Sequence, residues 1–198
     1  MEEAQEPGAG AETTTLYLVR HAHADWQPSE ARGLSARGAA SARALADRFA
    51  TVGIHAIYSS PSRRALQTVE PLAERLGLQP VIVDRLRERE LVASSAEEFE
   101  AAVEATWRDP ARPYGDGESN QAAQARGLEV VRTLLARHPG ERIMAATHGS
   151  LLVLMLNGLD PSFGYEFWRT LTFPDIYELT FRGDRLMRVR REWEDGGT

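Results

Sequence analysis

The sequence predicts an α/β fold in which short parallel strands alternate with amphipathic helices and an antiparallel hairpin is added at the end. Two observations carry this. Four apolar runs rich in β-formers, TLYLVRH, HAIYSS, PVIVD and RIMAATH, recur along the chain, and stretches with helical apolar stripes separate them. Further on, Asp175 to Phe181 and Leu186 to Trp193 flank Arg182-Gly183-Asp184-Arg185, a strand–turn–strand signal that predicts antiparallel edge strands.

Each element follows from local chemistry. Residues 1–13 are polar, glycine-bearing and aperiodic, so a disordered tail is expected ahead of one domain spanning 14–198. The four apolar runs read as strands buried on both faces. Ser35 caps a predicted helix whose stripe is Ala42, Leu45, Ala46 and Phe49, with Gly53 near its end. The next predicted helix starts at Ser60-Pro61, with proline at the first helical position, carries Ala65, Val69, Leu72, Ala73 and Leu76, and stops at Gly77. Between 92 and 118 the pattern weakens: Ala96 to Trp107 suits a helix, DPARPYGDG a loop, and the segment reads as a small cap insertion. A third helix begins near Ser119, carries Leu128, Val131 and Leu135, and ends before Pro139-Gly140. His148-Gly149 precedes the run LLVLML, where a further helix start offers free N–H groups to an anion.

Composition bounds the function. At 198 residues the chain suits a single core, and its 42% hydrophobic and 26% charged residues are ordinary for a globular protein. A formal net charge of -6 argues against nucleic acid or an anionic membrane surface as a general partner. No stretch reaches the roughly 20 apolar residues that span a bilayer. The segment MEEAQEPGAGAETTT lacks the basic-then-apolar order of a signal peptide, so a cytoplasmic location is expected. The chain contains no cysteine and no lysine, which removes thiolate metal sites, cysteine nucleophiles, Schiff bases and P-loop lysines together.

In open α/β sheets ligands bind beyond the carboxyl ends of the strands, and here every predicted parallel strand runs into polar residues. The first ends in Arg20-His21 and the second in Ser59-Ser60-Pro61-Ser62-Arg63-Arg64. The third leads into Arg85-Leu86-Arg87-Glu88-Arg89-Glu90 and the fourth into Thr147-His148-Gly149. Two histidines, several arginines and a glutamate on one sheet edge suit phosphoryl transfer through a phosphohistidine. A neutral imidazole nitrogen is the nucleophile in such a scheme, and neighbouring guanidiniums disfavour its protonation. The same guanidiniums bind phosphate in fork geometry, and a carboxylic acid protonates the leaving alkoxide. The scheme uses no metal and no cofactor, and its partner is a small phosphorylated substrate. Arg63, Arg87 and Arg89 read as surface arginines that pair with acids, and Trp107, Tyr114 and Trp168 as aromatics able to line a pocket mouth.

The motifs together resemble those of the histidine phosphatase superfamily, the group that includes cofactor-dependent phosphoglycerate mutases. Arg20-His21-Ala22 is similar to its Arg-His-Gly motif, and LSARG at 34–38 to its Leu-Thr-x-x-Gly segment. YSSPSRRALQT at 58–68, GES at 117–119 and THG at 147–149 match further family signatures in order and spacing. The resemblance runs from about residue 15 to the end of the second hairpin strand. It implies a three-layer α/β/α sandwich whose mostly parallel sheet carries an antiparallel strand. By position it implies that His21 is the nucleophile, that Arg20, Arg64 and His148 bind the phosphate, that Glu88 is the general acid, and that Glu118 and Ser119 border the substrate. It also implies a metal-independent phosphomonoesterase, with mutase-type transfer and phosphohistidine-protein hydrolysis as neighbouring activities.

Three positions depart from the family pattern. Ala22 stands where glycine is usual, His23 where many members have glutamate, and Val92 where a glycine follows the acid by four residues, which keeps Glu90 as a reserve acid. Two readings from other classes compete. The run His21-Ala22-His23-Ala24-Asp25 has the His-x-His-x-Asp spacing of dinuclear metallohydrolases, but Trp26 stands where a further histidine is usual and only His55, His138 and His148 remain as distant ligands. A catalytically inactive phospho-ligand binder would be expected to lack one of the two histidines or the aligned arginines.

Overall fold

The computed structural model describes residues 12–25, 31–91 and 95–193. Its strands are β1 (Thr13–Arg20), β2 (Ala56–Ser59), β3 (Val81–Ile82), β4 (Arg142–Thr147), β5 (Asp175–Arg182) and β6 (Arg185–Arg191). They form one six-stranded sheet in the order β3-β2-β4-β1-β5-β6. β1, β2, β3 and β4 run parallel, while β5 and β6 are antiparallel additions beyond β1. β5 is therefore internal, and β6 alone is the antiparallel edge.

Period-2 alternation sends successive β1 side chains to opposite layers. Leu16 and Leu18 pack with α4 (Asn120–Arg137) and α5 (Gly149–Leu159), while Tyr17 and Val19 pack with α1 (Ala36–Phe49) and α2 (Arg63–Leu76). The same division holds for Ile143 and Ala145 against Met144 and Ala146 in β4. The result is the three-layer sandwich that the resemblance implied. The helices α3 (Ala96–Arg108) and α6 (Tyr165–Arg169) lie in the connections before α4 and β5. No helix among the described residues is long and apolar enough to cross a membrane.

Several local expectations shift. Thr13 and Thr14 already pair with Arg182 and Phe181, so the first strand takes in the last residue assigned to the tail; residues 1–11 lie outside the described residues. β3 is two residues long and its side chains are 46% and 49% exposed, not buried on both faces, because it is the sheet edge and Pro80 supplies no N–H at its start. α2 begins at Arg63 rather than at Ser60-Pro61, since the Ser60 hydroxyl is committed elsewhere and takes the Ser62 N–H at 3.2 Å. Its end is as expected: Gly77 has φ 67° and donates to Ala73 and Glu74 carbonyls. α3 occupies the 92–118 insertion, and Val92 lies outside the described residues.

α1 is tied to the segment after β1 by close backbone approach. The Ser35 hydroxyl caps the helix by accepting from the Gly38 N–H at 3.2 Å and donates to the His23 carbonyl at 3.2 Å. A Cβ built on Gly38 would stand 2.0 Å from that carbonyl oxygen, whereas one on Gly77 meets nothing within 4 Å. Gly38→Ala should therefore lower unfolding stability by about 1–3 kcal/mol through overpacking, and Gly77→Ala by only about 1 kcal/mol through its left-handed φ. Urea midpoints of the two variants check the order; a Gly38→Ala midpoint equal to wild type would contradict this contact.

Candidate active site

Strand register assembles the site. Arg20 of β1 stands opposite Thr147 of β4, so His21 and His148, each the next residue, leave the sheet side by side with ring centroids 5.2 Å apart. The His21 N–H donates to the Thr147 carbonyl (3.0 Å) and the Ser60 N–H to the Ala146 carbonyl (2.9 Å), which extends the ladder one residue past the strand ends. All three side chains are buried.

Arg64, in the first turn of α2, lies between the two rings. Its Nε donates to His21 Nε2 at 3.3 Å and its Nη2 to His148 Nδ1 at 3.1 Å. A guanidinium can only donate, so both of those ring nitrogens are acceptors. The other nitrogen of each ring carries the proton: His21 Nδ1 donates to the Ala22 carbonyl at 2.7 Å, and His148 Nε2 donates to the Ser60 hydroxyl at 2.8 Å. Burial, followed by the Arg64 charge, pushes the His21 pKa well below its ordinary value. Burial, then His21 and Arg64, does the same to His148. His148 is thus neutral beside Arg64 and His21, because burial disfavours placing further positive charge next to the Arg64 guanidinium.

The rest of the RRALQT stretch holds neighbouring loops. Thr68 Oγ1 accepts from the Ala22 N–H at 2.9 Å and donates to the Arg64 carbonyl at 2.7 Å, and Gln67 Oε1 accepts from the Leu34 N–H at 2.9 Å. Arg63 is exposed. The structure thereby separates the two arginines that composition could not.

Arg20 is held from the other side by the loop between α6 and β5. Its Nη1 donates to the carbonyls of Leu171 (3.1 Å) and Thr172 (3.2 Å), and its Cζ lies 3.4 Å from the Phe173 ring centroid. Burial lowers its pKa to about 10, which leaves it charged at neutral pH. The loop is itself anchored by Asp175, a fully buried carboxylate that accepts from the Thr172 N–H (3.0 Å) and from Arg191 of β6 through Nε (2.9 Å) and Nη2 (2.6 Å). The sequence reading missed Phe173, Asp175 and Arg191, along with Ser60 and Thr68.

The carboxylates separate clearly. Glu88 Oε1 accepts from the N–H groups of Arg89 (2.9 Å) and Leu151 (3.0 Å), and Oε2 from Ser150 (3.1 Å), so it sits on the N-terminus of α5 beside His148. Glu88 is also close enough to Arg20 to act on its charge. Glu90 is turned outward, 64% exposed, against Arg87 at 3.5 Å. Glu118 forms a two-pronged pair with Arg126 at 2.9 and 2.7 Å; burial works against its charge, but Arg126 outweighs this and holds the carboxyl below its ordinary range. Ser119 Oγ caps α4 by accepting from the Ala122 N–H. These two side chains are engaged in packing the 117–119 segment, with no hydrogen bond to the histidine pair among the described residues. Arg89 is a correction: it is 2% exposed, not on the surface, and bonds Thr106 of α3 (2.5 Å) and Asn120 of α4 (2.7 Å). Trp107 and Trp168 pack against the core cluster.

The residues of the His-x-His-x-Asp run diverge. His21 faces Arg64, His23 Nδ1 pairs with the Ser35 hydroxyl at 2.8 Å, and Asp25 is exposed. Among the described residues no group of three or more histidines and carboxylates is placed to share a metal ion.

A neutral imidazole and held guanidiniums at the carboxyl ends of the parallel strands form an arrangement suited to phosphoryl transfer through histidine. The model of the histidine phosphatase superfamily (branch 1) matches residues 16–192, and the chain belongs to that superfamily. Among curated proteins it is 30% identical to a putative phosphoserine phosphatase 2 of Hydrogenobacter thermophilus, over 73% of this chain and 79% of the relative. It is 29% identical to a probable phosphoglycerate mutase GpmB of an Enterobacter species, over 69% of this chain and 70% of the relative. Among solved structures, the mycobacterial glucosyl-3-phosphoglycerate phosphatase shares the fold with a TM-score of 0.74 at 23% identity, over 94% of this chain and 100% of that one. Bacillus stearothermophilus YhfR matches with a TM-score of 0.75 at 27% identity, over 90% and 96%.

The buried neutral histidines couple stability to pH. An unfolded histidine titrates near 6.5 while these two remain neutral well below it, so acid adds protons to the unfolded chain first. Their contribution is full above about pH 6.5 and is lost as the pH falls below it, by up to about 1.4 kcal/mol per pH unit for each ring. In phosphate-free buffer, urea midpoints at pH 7.5 and 5.5 should differ less in His21→Asn than in wild type. An identical difference would show that His21 is not buried neutral.

Proposed function

We propose that the chain is a metal-independent phosphomonoesterase that works through a phosphohistidine on His21. The observation that carries this is the His21 tautomer: Nδ1–H is committed to the Ala22 carbonyl, which leaves the Nε2 lone pair facing the Arg64 guanidinium, where a phosphate would be held. In the first step Nε2 attacks phosphorus as the ester oxygen departs, and Glu88 gives that oxygen a proton. In the second, water attacks the phosphohistidine, Glu88 takes its proton, and inorganic phosphate leaves. Arg20, Arg64 and His148 surround the equatorial oxygens. The incoming dianion offsets the repulsion that keeps the rings neutral, and His148 Nδ1 can then bind it as a donor. Glu88 is favoured over Glu90 as the acid because it borders the cluster while Glu90 points to solvent. Glu118 and Ser119 would act on substrate only through the loop they hold.

The relatives named as phosphoserine phosphatase and phosphoglycerate mutase support a small phosphorylated substrate. Hydrolysis is favoured over mutase transfer because the chain has no lysine for a second anionic subsite and only a short insertion, the candidate cap around α3.

Hydrolysis of p-nitrophenyl phosphate should persist in excess EDTA and fall by at least about a thousandfold in His21→Ala. Activity lost in EDTA and restored by zinc or manganese would overturn the mechanism. Glu88→Gln should slow alkyl phosphates by about a hundredfold or more while sparing p-nitrophenyl phosphate, whose leaving group needs little protonation. If Glu90→Gln gives that pattern instead, the acid is misassigned. Arg64→Ala should weaken vanadate inhibition by at least about tenfold, and unchanged inhibition would transfer the phosphate-binding role away from Arg64.

A further inference from the structure

Phe173 is an exposed aromatic side chain beside the site. It is 38% exposed, and the other exposed large hydrophobic residues among those described, Val81, Ile82 and Met187, lie on the edge strands β3 and β6. Phe173 instead adjoins the nucleophile: its ring centroid is 5.5 Å from that of His21 and 6.0 Å from that of His23, the latter nearly perpendicular at 82°. The Arg20 guanidinium covers one face, and Leu171 and Thr172 on the same loop bind that guanidinium. The Thr172 N–H is in turn fixed to the buried Asp175, so the ring is held on both sides in sequence.

The direction of the reaction decides what the ring meets. His21, Arg64 and His148 are 5%, 4% and 0% exposed, so a phosphate among them is walled in from below. In-line displacement puts the leaving oxygen opposite the attacking nitrogen, and the group attached to it must emerge on the open side. Phe173 is the exposed apolar side chain that borders His21, with the two ring centroids 5.5 Å apart. Its uncovered surface offers no hydrogen bond to a polyol, but it matches a flat apolar group in stacked or edge-to-face contact.

We propose that Phe173 is a specificity-determining residue whose open surface receives the leaving group and favours phosphomonoesters of alcohols that carry an aromatic ring over those of small polar or aliphatic alcohols. The proposal deepens the phosphatase reading and rests on His21 as nucleophile. Benzyl phosphate and ethyl phosphate both release a primary alkoxide and differ in the ring, so the ratio of their kcat/KM values isolates leaving-group contact from general damage. Wild type should favour the benzyl ester. Phe173→Ala should lower the benzyl-to-ethyl ratio by roughly three- to tenfold, the worth of an aromatic pair. Phe173→Leu should give an intermediate ratio and Phe173→Tyr restore it. Release of Arg20 in these variants would slow both esters alike and weaken vanadate inhibition, leaving the ratio unmoved. A ratio equal to wild type in folded Phe173→Ala and Phe173→Leu would overturn the proposal. Wild type that hydrolyses neither ester in EDTA, or His21→Ala that hydrolyses both, would instead overturn the histidine mechanism and this proposal with it.

Discussion

A guanidinium buried between two imidazoles is the constraint around which the site is built. At an effective dielectric near 20, two like charges about 4 Å apart repel by about 4 kcal/mol, so Arg64 tolerates its neighbours only as neutral rings. Neutrality alone does not choose a tautomer. The Ala22 carbonyl and the Ser60 hydroxyl do, by accepting a hydrogen bond from one N–H of each ring, and both unprotonated nitrogens then face the same cation. One interaction thus keeps His21 Nε2 unprotonated, orients the ring and sets a cation against both free lone pairs.

The Glu88 side of the site is held by a second network with a different logic. The loop after β3 carries Glu88, and Arg126 binds it by donating to the carbonyls of Arg85 and Arg87 while pairing with Glu118. Thr147 Oγ1 takes hold of the Leu86 carbonyl, and the Glu118 N–H of the Glu90 carbonyl. A Cβ on Gly117 would stand 2.4 Å from that last oxygen, which accounts physically for glycine in the GES segment. Glu88 itself caps α5, which lacks a side-chain cap from His148. The carboxylate therefore answers to both the loop and the helix that carries the second histidine.

The sheet was legible because its signals are local: β-former runs, stripes and caps such as Ser35, Ser119 and Gly77 need only a few neighbouring residues. The convergence of Arg20-His21 with Thr147-His148 was legible from strand ends, though the register that makes them adjacent is a pairing fact. The choice between Arg63 and Arg64 had a usable signal. Arg64 lies four residues before Thr68 and next to Ala65 on the buried side of α2, whereas the sequence reading chose it over Arg63 by the register of the family motif alone. Arg89 could not be read from RERE, because its burial comes from α3 and α4 closing over it. Phe173 lies in a connection without periodicity and Asp175 at the start of β5, and their roles depend on Arg20 and Arg191, each more than a dozen residues away in sequence.

The Arg191–Asp175 pair gives the molecule a temporal order. Arg20 is among the earliest residues of the fold to be synthesised, yet the loop that clamps it depends on a carboxylate that is fully buried and paired with Arg191 of the outermost strand. Such a carboxylate is costly to bury without its partner. The clamp on Arg20 is therefore complete only after residue 191 has been made and β6 has joined the sheet, so a nascent chain carries Arg20 and His21 long before Arg20 is held in place.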